Sequence, residues 1–235
     1  MRLLINFLPL IQTKYDKINK YNIQGFIYSL LKNNLEFKEL HNLKGFKFFN
    51  FSNIFPIGDF EKDSLKKIII SSPDVNFIKT IYQELKNKEY FMLNKYKMEI
   101  MKVKLLNDNF SKNVITATPI VLYENNKNNR YYSFKSKPDF NFFFERLKDN
   151  AIKKYNAFYQ KDFVLDDNLF STFEYNKEVS IRLKKDGNQF IIIGSLWRNL
   201  EFNVNKSNKN FYKFLYDVGL GEKNSLGFGF LNNRR

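Results

Sequence analysis

The order of predicted strands and helices constrains this chain more than any other feature of its sequence. Residues 1–106 hold short apolar runs typical of strands and longer stretches with apolar residues on one helical face. In order they are a strand at 2–8, a helix at 22–35, strands at 45–51 and 67–71, a helix at 73–88 and a strand at 97–106. That order is βαββαβ, which is the order of a ferredoxin-like domain.

The same order returns in the second half of the chain. The predicted elements are a strand at 114–123, a helix at 139–155, strands at 179–183 and 189–197, a helix at 208–218 and a strand at 228–231. Asp186-Gly187 between the middle strands is a strong hairpin signal, because glycine tolerates a positive φ. We predict an α+β protein of two tandem ferredoxin-like domains, at 1–108 and 109–235, with a glycine-rich loop in the second.

The scarcity of thiol and imidazole groups restricts the possible chemistry. The chain has no cysteine, and His41 is its single histidine, which excludes thiol catalysis, disulfides and zinc sites built from Cys and His. Paired carboxylates for a two-metal site are not evident either, so we expect no metal and no cofactor. No run reaches the roughly 18 to 20 apolar residues that a membrane span needs, and the first residues lack a signal-peptide cleavage site. We expect a cytoplasmic protein without a membrane partner.

Basic residues outnumber acidic residues in both halves of the chain. Lys plus Arg total 39 against 24 Asp plus Glu, which is a net charge of +15. The count is 18 against 11 in residues 1–110 and 21 against 13 in residues 111–235. An excess spread over two folded halves favours binding to the phosphate backbone of a nucleic acid over binding to an anionic membrane, for which no strongly amphipathic basic helix is predicted. A surface that is basic only because the composition is rich in Lys is the alternative.

A glycine-rich segment at residues 219–230 follows the last predicted helix. Its glycines would let the backbone approach a ligand closely and direct amides at phosphate oxygens. It is not a Walker-type loop, because that motif lies between a strand and a helix. Turns also collect glycine for steric reasons, but with the basic charge we predict RNA binding here. The residues concerned are Gly219, Gly221, Lys223, Ser225, Gly227 and Gly229.

Three stretches resemble one known family. They are Gln-Gly-Phe-Ile-Tyr at 24–28, Leu-His-Asn-Leu-Lys-Gly-Phe-Lys at 40–47 and Gly-Leu-Gly-Glu-Lys-Asn-Ser-Leu-Gly-Phe-Gly at 219–229. In this order, and over the whole chain, they are similar to the CRISPR repeat-cleaving endoribonucleases of the RAMP superfamily. The resemblance implies two ferredoxin-like domains side by side, a basic cleft for the CRISPR repeat transcript, and cleavage that needs no metal.

Metal-free cleavage uses the 2′-hydroxyl of RNA as the nucleophile, so the enzyme must move protons and stabilise charge on the phosphate. His41 is the candidate for proton transfer, because imidazole is the side chain that ordinarily exchanges protons near neutrality. Tyr28 is the candidate orienting partner or complementary acid, and Lys47 the candidate electrostatic stabiliser. The resemblance implies the same trio. The expected products carry a 2′,3′-cyclic phosphate and a 5′-hydroxyl. Which of His41 and Tyr28 takes the first proton stays open.

Other basic residues are expected to bind RNA rather than to react. They are Lys44 beside His41, and Arg182, Lys184 and Lys185 near the turn of the predicted hairpin. Two rival functions stay open. One is a RAMP-type subunit that binds guide RNA without cutting it, and the other is a general RNA- or ribosome-associated protein. The sequence is compatible with a homodimer and with a larger effector complex.

Overall fold

The computed structural model describes residues 1–107, 110–125, 130–185 and 187–234, with the backbone alone at Lys185. The chain divides into two compact units, Met1–Asp108 with Ser225–Gly227 and Asn109–Asn224 with Phe228–Arg235. The predicted boundary at 108 and 109 lies outside the described residues. The glycine-rich segment was expected wholly in the second domain, but its contacts divide it between the units. No helix in the described ranges is long and apolar enough to cross a membrane.

The first unit is built on one antiparallel sheet. Its elements are β1 (Arg2–Pro9), α1 (Lys20–Leu31), β2 (Asn50–Phe51), β3 (Lys66–Ser71), α2 (Val75–Leu85), β4 (Tyr90–Leu93) and β5 (Tyr96–Leu106). The strand order is β2-β3-β1-β5-β4, with Leu3 of β1 opposite Ile70 of β3 and Leu105 of β5. Without the added edge strand β4, this is the predicted βαββαβ fold, which is confirmed.

Helix α1 begins at Lys20 because Asn19 caps it. The Asn19 side chain accepts hydrogen bonds from the amides of Tyr21 and Asn22, and the Asn22 side chain accepts one from the Asn19 amide. The helix buries one face in the same hydrophobic core as alternate residues of β1, as the two periodicities require. The residues that these two elements contribute to the hydrophobic core are Leu3, Ile5, Phe7, Ile23, Phe26, Ile27, Leu30 and Leu31.

The segment between α1 and β2 differs from its prediction. A strand was expected at 45–51, but only Asn50–Phe51 pairs with β3. Gly45 and Phe48 have φ values of 93° and 52°, which interrupt an extended strand. The chain from residue 32 to residue 49 is therefore a series of turns, and it carries His41 and Lys47.

The second unit repeats the arrangement. Its elements are β6 (Asn113–Thr116), α3 (Phe140–Tyr159), β7 (Phe170–Lys185), β8 (Asn188–Phe202), α4 (Lys209–Val218) and β9 (Leu231–Asn233). The strands pair in the order β7-β8-β6-β9, so the second predicted ferredoxin-like fold is also confirmed. The strand predicted at 114–123 ends at Thr116, and Ile120 and Val121 form only isolated bridges.

Strands β7 and β8 form a long hairpin of 16 and 15 residues. Gly187 in its turn has a φ of 82°, while Asp186 and the side chain of Lys185 lie outside the described residues. At the other end of the hairpin, Trp197 is only 2% exposed and stacks on Phe143 of α3 at a ring distance of 5.4 Å. The hairpin therefore has one end in the core, while Arg182 and Lys184 near its turn are exposed.

Candidate active site

One face of α1 contacts the part of the glycine-rich segment that belongs to the first unit. Lys20, Gln24 and Tyr28 follow one another at four-residue intervals and therefore lie along one face of the helix. Lys20 Nζ donates to the carbonyl of Gly227 at 2.7 Å, and Gln24 Nε2 donates to the carbonyl of Ser225 at 2.9 Å. The Tyr28 hydroxyl hydrogen-bonds with the Ser225 side chain. Three residues of one helix thus hold two residues, Ser225 and Gly227, some 200 positions away in sequence.

Gly227 lets this short segment lie flat on the first unit. Its φ is 74°, and a Cβ added there would lie 2.7 Å from Cδ2 of Phe51. Both the left-handed backbone and the aromatic ring therefore exclude a larger side chain. The position of Ser225, two residues earlier, follows from this close seating.

Tyr28 is half-buried between two aromatic rings. The His41 ring stands edge-on to it with centroids 5.0 Å apart, and the Phe49 ring lies at 5.8 Å. Burial raises the pKa of Tyr28, and the hydrogen bond with Ser225 opposes that rise. A serine lowers a phenol pKa when it donates to the phenol oxygen. Tyr28 therefore keeps its proton at neutral pH, and that proton can be donated to another group.

His41 lies in the turn after α1, with its imidazole exposed. Its Nδ1 is 3.3 Å from Oδ1 of Asn42, and Nδ2 of Asn42 donates to Glu39 Oε2 at 2.9 Å. The carboxylate of Glu39 accepts only, so it orients the Asn42 amide with its oxygen toward His41. This arrangement assigns the ring hydrogen to Nδ1 and leaves the lone pair on Nε2, the form required of a general base.

Lys47 secures the turn that carries His41. Its Nζ donates to the carbonyls of Leu40 at 2.7 Å, of His41 at 3.4 Å and of Leu43. Partial burial lowers the pKa of Lys47. The structure thus brings Tyr28, His41 and Lys47 together in one unit, with the Lys47 ammonium occupied by the backbone of the His41 turn.

The second unit holds the remainder of the glycine-rich segment through a buried lysine of α3. Lys154 is 1% exposed, and its Nζ donates to the carbonyls of Gly219 at 2.8 Å and Gly221 at 3.0 Å and to Oδ1 of Asn224 at 2.8 Å. Burial lowers the pKa of Lys154 to about 7. The amides of Gly219 and Gly229 donate to Leu215 and Pro119. Much of the polar backbone of this segment is therefore engaged within the protein.

Basic side chains predicted to bind RNA occur in both units. Lys44 is exposed in the first unit, as are Arg182 and Lys184 in the second. Lys223 lies 5.6 Å and 5.9 Å from the rings of Tyr123 and Tyr131, which stack on each other at 5.2 Å. In the part of the chain that the structure describes, no three His, Cys, Asp or Glu side chains are grouped so that they could hold a metal ion.

Sequence reasoning missed several residues of this site. Lys20 precedes the predicted start of the helix at residue 22. The four-residue spacing of Lys20, Gln24 and Tyr28 therefore did not indicate one helical face. An Asn cap at position 19 is the signal that places Lys20 on the helix. Glu39 and Asn42, which orient His41, give no signal in the sequence, because their contacts depend on the turn.

Comparisons with known proteins agree with this architecture. A family model described as CRISPR associated protein Cas6, C-terminal, matches residues 101–233. The chain is 44% identical to CRISPR-associated endoribonuclease Cas6 2 of Methanocaldococcus jannaschii over 99% of both proteins. It is 29% identical to Cas6 1 of the same organism, over 95% of this chain and 90% of that one.

A solved structure described as CRISPR associated protein Cas6 superposes with a TM-score of 0.73 at 27% identity, covering 100% of this chain and 99% of the other. Both the sequence and the fold are therefore shared over essentially the whole length. The chain belongs to the Cas6 family of CRISPR-associated endoribonucleases.

Proposed function

We propose that this protein binds CRISPR repeat RNA and cuts the precursor transcript within each repeat, without a metal ion. The observation that carries the proposal is the pairing of His41 with Tyr28, whose rings lie 5.0 Å apart. The His41 ring is oriented by its hydrogen bond with Asn42, and the Tyr28 hydroxyl is oriented by its hydrogen bond with Ser225. Such an arrangement leaves a proton acceptor on one ring and a proton donor on the other, as an acid–base ribonuclease requires.

The reaction forms one bond to phosphorus and breaks another. The 2′-oxygen of the nucleotide before the cut attacks the adjacent phosphorus while its proton passes to a base. The bond from phosphorus to the 5′-oxygen of the next nucleotide breaks, and that oxygen receives a proton from an acid. The products are a 2′,3′-cyclic phosphate and a 5′-hydroxyl, and no redox or metal step is needed.

We assign the base to Nε2 of His41 and the acid to the Tyr28 hydroxyl. The hydrogen bond from Nδ1 to Asn42 supports the first assignment, and the raised pKa of Tyr28 supports the second. Lys47 keeps the His41 turn closed and places a cation beside it, where it can stabilise charge on the phosphate. The residues proposed to bind the RNA are Lys44, Arg182, Lys184, Lys185 and Lys223. Gly219, Gly221, Gly227 and Gly229, predicted from the sequence to bind RNA through their backbone, are buried, and these glycines and Ser225 make hydrogen bonds within the protein, so we do not assign them phosphate contacts. The protein is proposed to act in the cytoplasm, with RNA as its partner.

The test is cleavage of a labelled repeat RNA in excess EDTA. We expect the wild-type protein to cut, and His41→Ala to lower the rate at least about 100-fold. An RNA with a 2′-deoxy nucleotide at the cut site should bind but not be cut. Tyr28→Phe, which keeps the ring and removes only the hydroxyl, should slow cleavage without changing the melting temperature. Tight binding by a wild-type protein that cuts nothing would instead assign it to the guide-RNA-binding RAMP subunits.

A further inference from the structure

Lys20 is a buried lysine for which the proposed cleavage reaction has no direct use. It is 9% exposed, its Nζ lies 5.6 Å from the Phe51 ring, and burial lowers its pKa to about 7. Its hydrogen bonds go to the carbonyl of Gly227 at 2.7 Å and to Oδ1 of Asn53 at 3.2 Å. Burying a charged amine is unfavourable because the amine loses its hydration, and hydrogen bonds must compensate for that loss. The hydrogen bond from Lys20 to the Gly227 carbonyl therefore fixes the position of Gly227.

Two residues before Gly227, the same segment meets Tyr28. Ser225 accepts hydrogen bonds from Gln24 through its carbonyl, at 2.9 Å, and its hydroxyl oxygen lies 3.5 Å from Gln24 Nε2. The Ser225 side chain also hydrogen-bonds with the Tyr28 hydroxyl, which opposes the rise that burial causes in the Tyr28 pKa. The route from Lys20 to the phenol therefore consists of one hydrogen bond, two peptide units and a second hydrogen bond.

We propose that Lys20 is a positioning residue for RNA cleavage, which holds Gly227 on α1 so that the Ser225 hydroxyl orients Tyr28. The inference rests on the proposed function, since it assumes that Tyr28 acts in cleavage. Lys20 itself does not touch the RNA in this account. A lost anchor at Gly227 displaces the Ser225 hydroxyl and lets the phenol rotate away from the leaving oxygen.

The test is a double-mutant cycle in single-turnover cleavage at saturating protein. Lys20→Met keeps the length of the side chain and removes the donor, and we expect it to lower the rate about tenfold, as small misplacements of catalytic groups do. In a Tyr28→Phe background the same substitution should change the rate less than about twofold. Affinity for the 2′-deoxy RNA should stay within about twofold of wild type in all variants. Lys79→Met, which removes an exposed lysine of α2, is the charge-matched control and should cleave at the wild-type rate.

An equal loss of rate in both backgrounds would show that Lys20 acts independently of Tyr28, and an unchanged rate would remove it from the mechanism. If Lys20→Met does not fold, Asn53→Ala removes one acceptor of the lysine and should give about a threefold loss with the same dependence on Tyr28.

A readout without RNA separates failure of this proposal from failure of the proposed function. With 13C-labelled tyrosine, the resonance assigned to Tyr28 should shift in Lys20→Met and stay in place in Lys79→Met. A Tyr28 signal unaffected by Lys20→Met would overturn the positioning role even in a protein that cuts RNA. If Lys20→Met shifts the Tyr28 signal but the wild-type protein cuts no RNA, the positioning of Tyr28 by Lys20 is supported and the proposed cleavage function is wrong.

Discussion

Each of the two units holds part of the glycine-rich segment with a buried lysine, but the held parts make different contacts. In each, a buried lysine on the first helix of the βαββαβ fold donates to carbonyls of the glycine-rich segment. Lys154 binds two carbonyls and Asn224, whose side chain in turn donates to Leu220 and Phe228. Lys20 binds one carbonyl, and its helix continues to Gln24 and Tyr28. In the second unit the lysine thus fixes backbone, whereas in the first unit the fixed backbone also contacts the side chain of Tyr28.

The difference indicates what a buried lysine contributes in this fold. The glycine-rich segment has left-handed residues at Gly219, Gly221, Gly227 and Gly229, so its carbonyls point in directions that no regular ladder can satisfy. A lysine ammonium can donate to several oxygens at once and replaces the missing ladder. At Tyr28 such a fixed turn also lies against a titratable group.

The largest expected effect is on glycines of the second unit. In Gly229→Ala the new Cβ would overlap the Leu220 carbonyl, at a φ of 67°. Because backbone atoms cannot rotate away, we expect a loss of at least about 3 kcal/mol in the free energy of unfolding. Gly25→Ala is the matched control, since Gly25 lies within α1 with nothing near a Cβ, and should gain about 0.5 to 1 kcal/mol. Urea unfolding measures both. A mild effect of Gly229→Ala would show that the segment is not held as tightly as its contacts indicate.

The next effect concerns the lysine of the second unit. Lys154→Met leaves three buried oxygens without their donor, and we expect a loss of about 3 kcal/mol in the free energy of unfolding at neutral pH. Lys153→Met, at the neighbouring position of α3, breaks only an exposed ion pair with Asp149 and should lose no more than about 0.5 kcal/mol. Equal losses in the two variants would contradict an anchoring role for Lys154.

The pH dependence of stability should separate the buried lysines from the exposed ones. The pKa of Lys154 is about 7 in the folded protein against an ordinary 10.5, so between these values the unfolded chain binds more protons. The free energy of unfolding therefore rises with pH from about 7, by at most about 1.4 kcal/mol per pH unit for each such lysine. Lys154→Met should flatten this slope between pH 7 and 9, and Lys153→Met should not. An unchanged slope in Lys154→Met would show that Lys154 stays charged when buried.

The smallest effect compares the two units as RNA-binding surfaces. Loss of one phosphate contact should reduce the slope of log affinity against log salt concentration by about 0.7 for single-stranded RNA. We expect this change in Lys44→Met of the first unit and in Arg182→Met of the second, measured with 2′-deoxy RNA, and none in Lys79→Met. A changed slope in only one of the two would confine the phosphate contacts to that unit.

Local sequence patterns predicted the elements well, because helices and strands follow from periodicity within a few residues. They failed where backbone torsions matter. The strand expected at 45–51 is mostly turns, because Gly45 and Phe48 adopt positive φ. Strand β4 was missed, because its four residues alternate buried and exposed over too short a run to stand out. The long hairpin was predicted in part, since its exposed residues carry no apolar pattern.

The candidate trio could be selected from the sequence because its residue types fit the proposed chemistry, and because the stretches around them resemble one family. The roles of these residues in cleavage stay predictions. The structure brings Tyr28 and His41 into contact and directs the Lys47 ammonium into the His41 turn. The residues that orient the trio were not predictable. Asn42 contacts His41 through its side chain, and this contact forms only in the folded turn. Ser225 contacts Tyr28 from the other end of the chain.

The sequence alone therefore determined the two βαββαβ folds, the basic charge of both halves and the presence of residue types suited to acid–base chemistry. Each of these depends on composition or on neighbours a few positions apart. Only the tertiary structure decided that Lys20 meets Gly227 and that Ser225 meets Tyr28. Those partners are some 200 residues apart. The packing of whole elements decides which distant groups a buried cation contacts. Local periodicity in the sequence does not predict that packing.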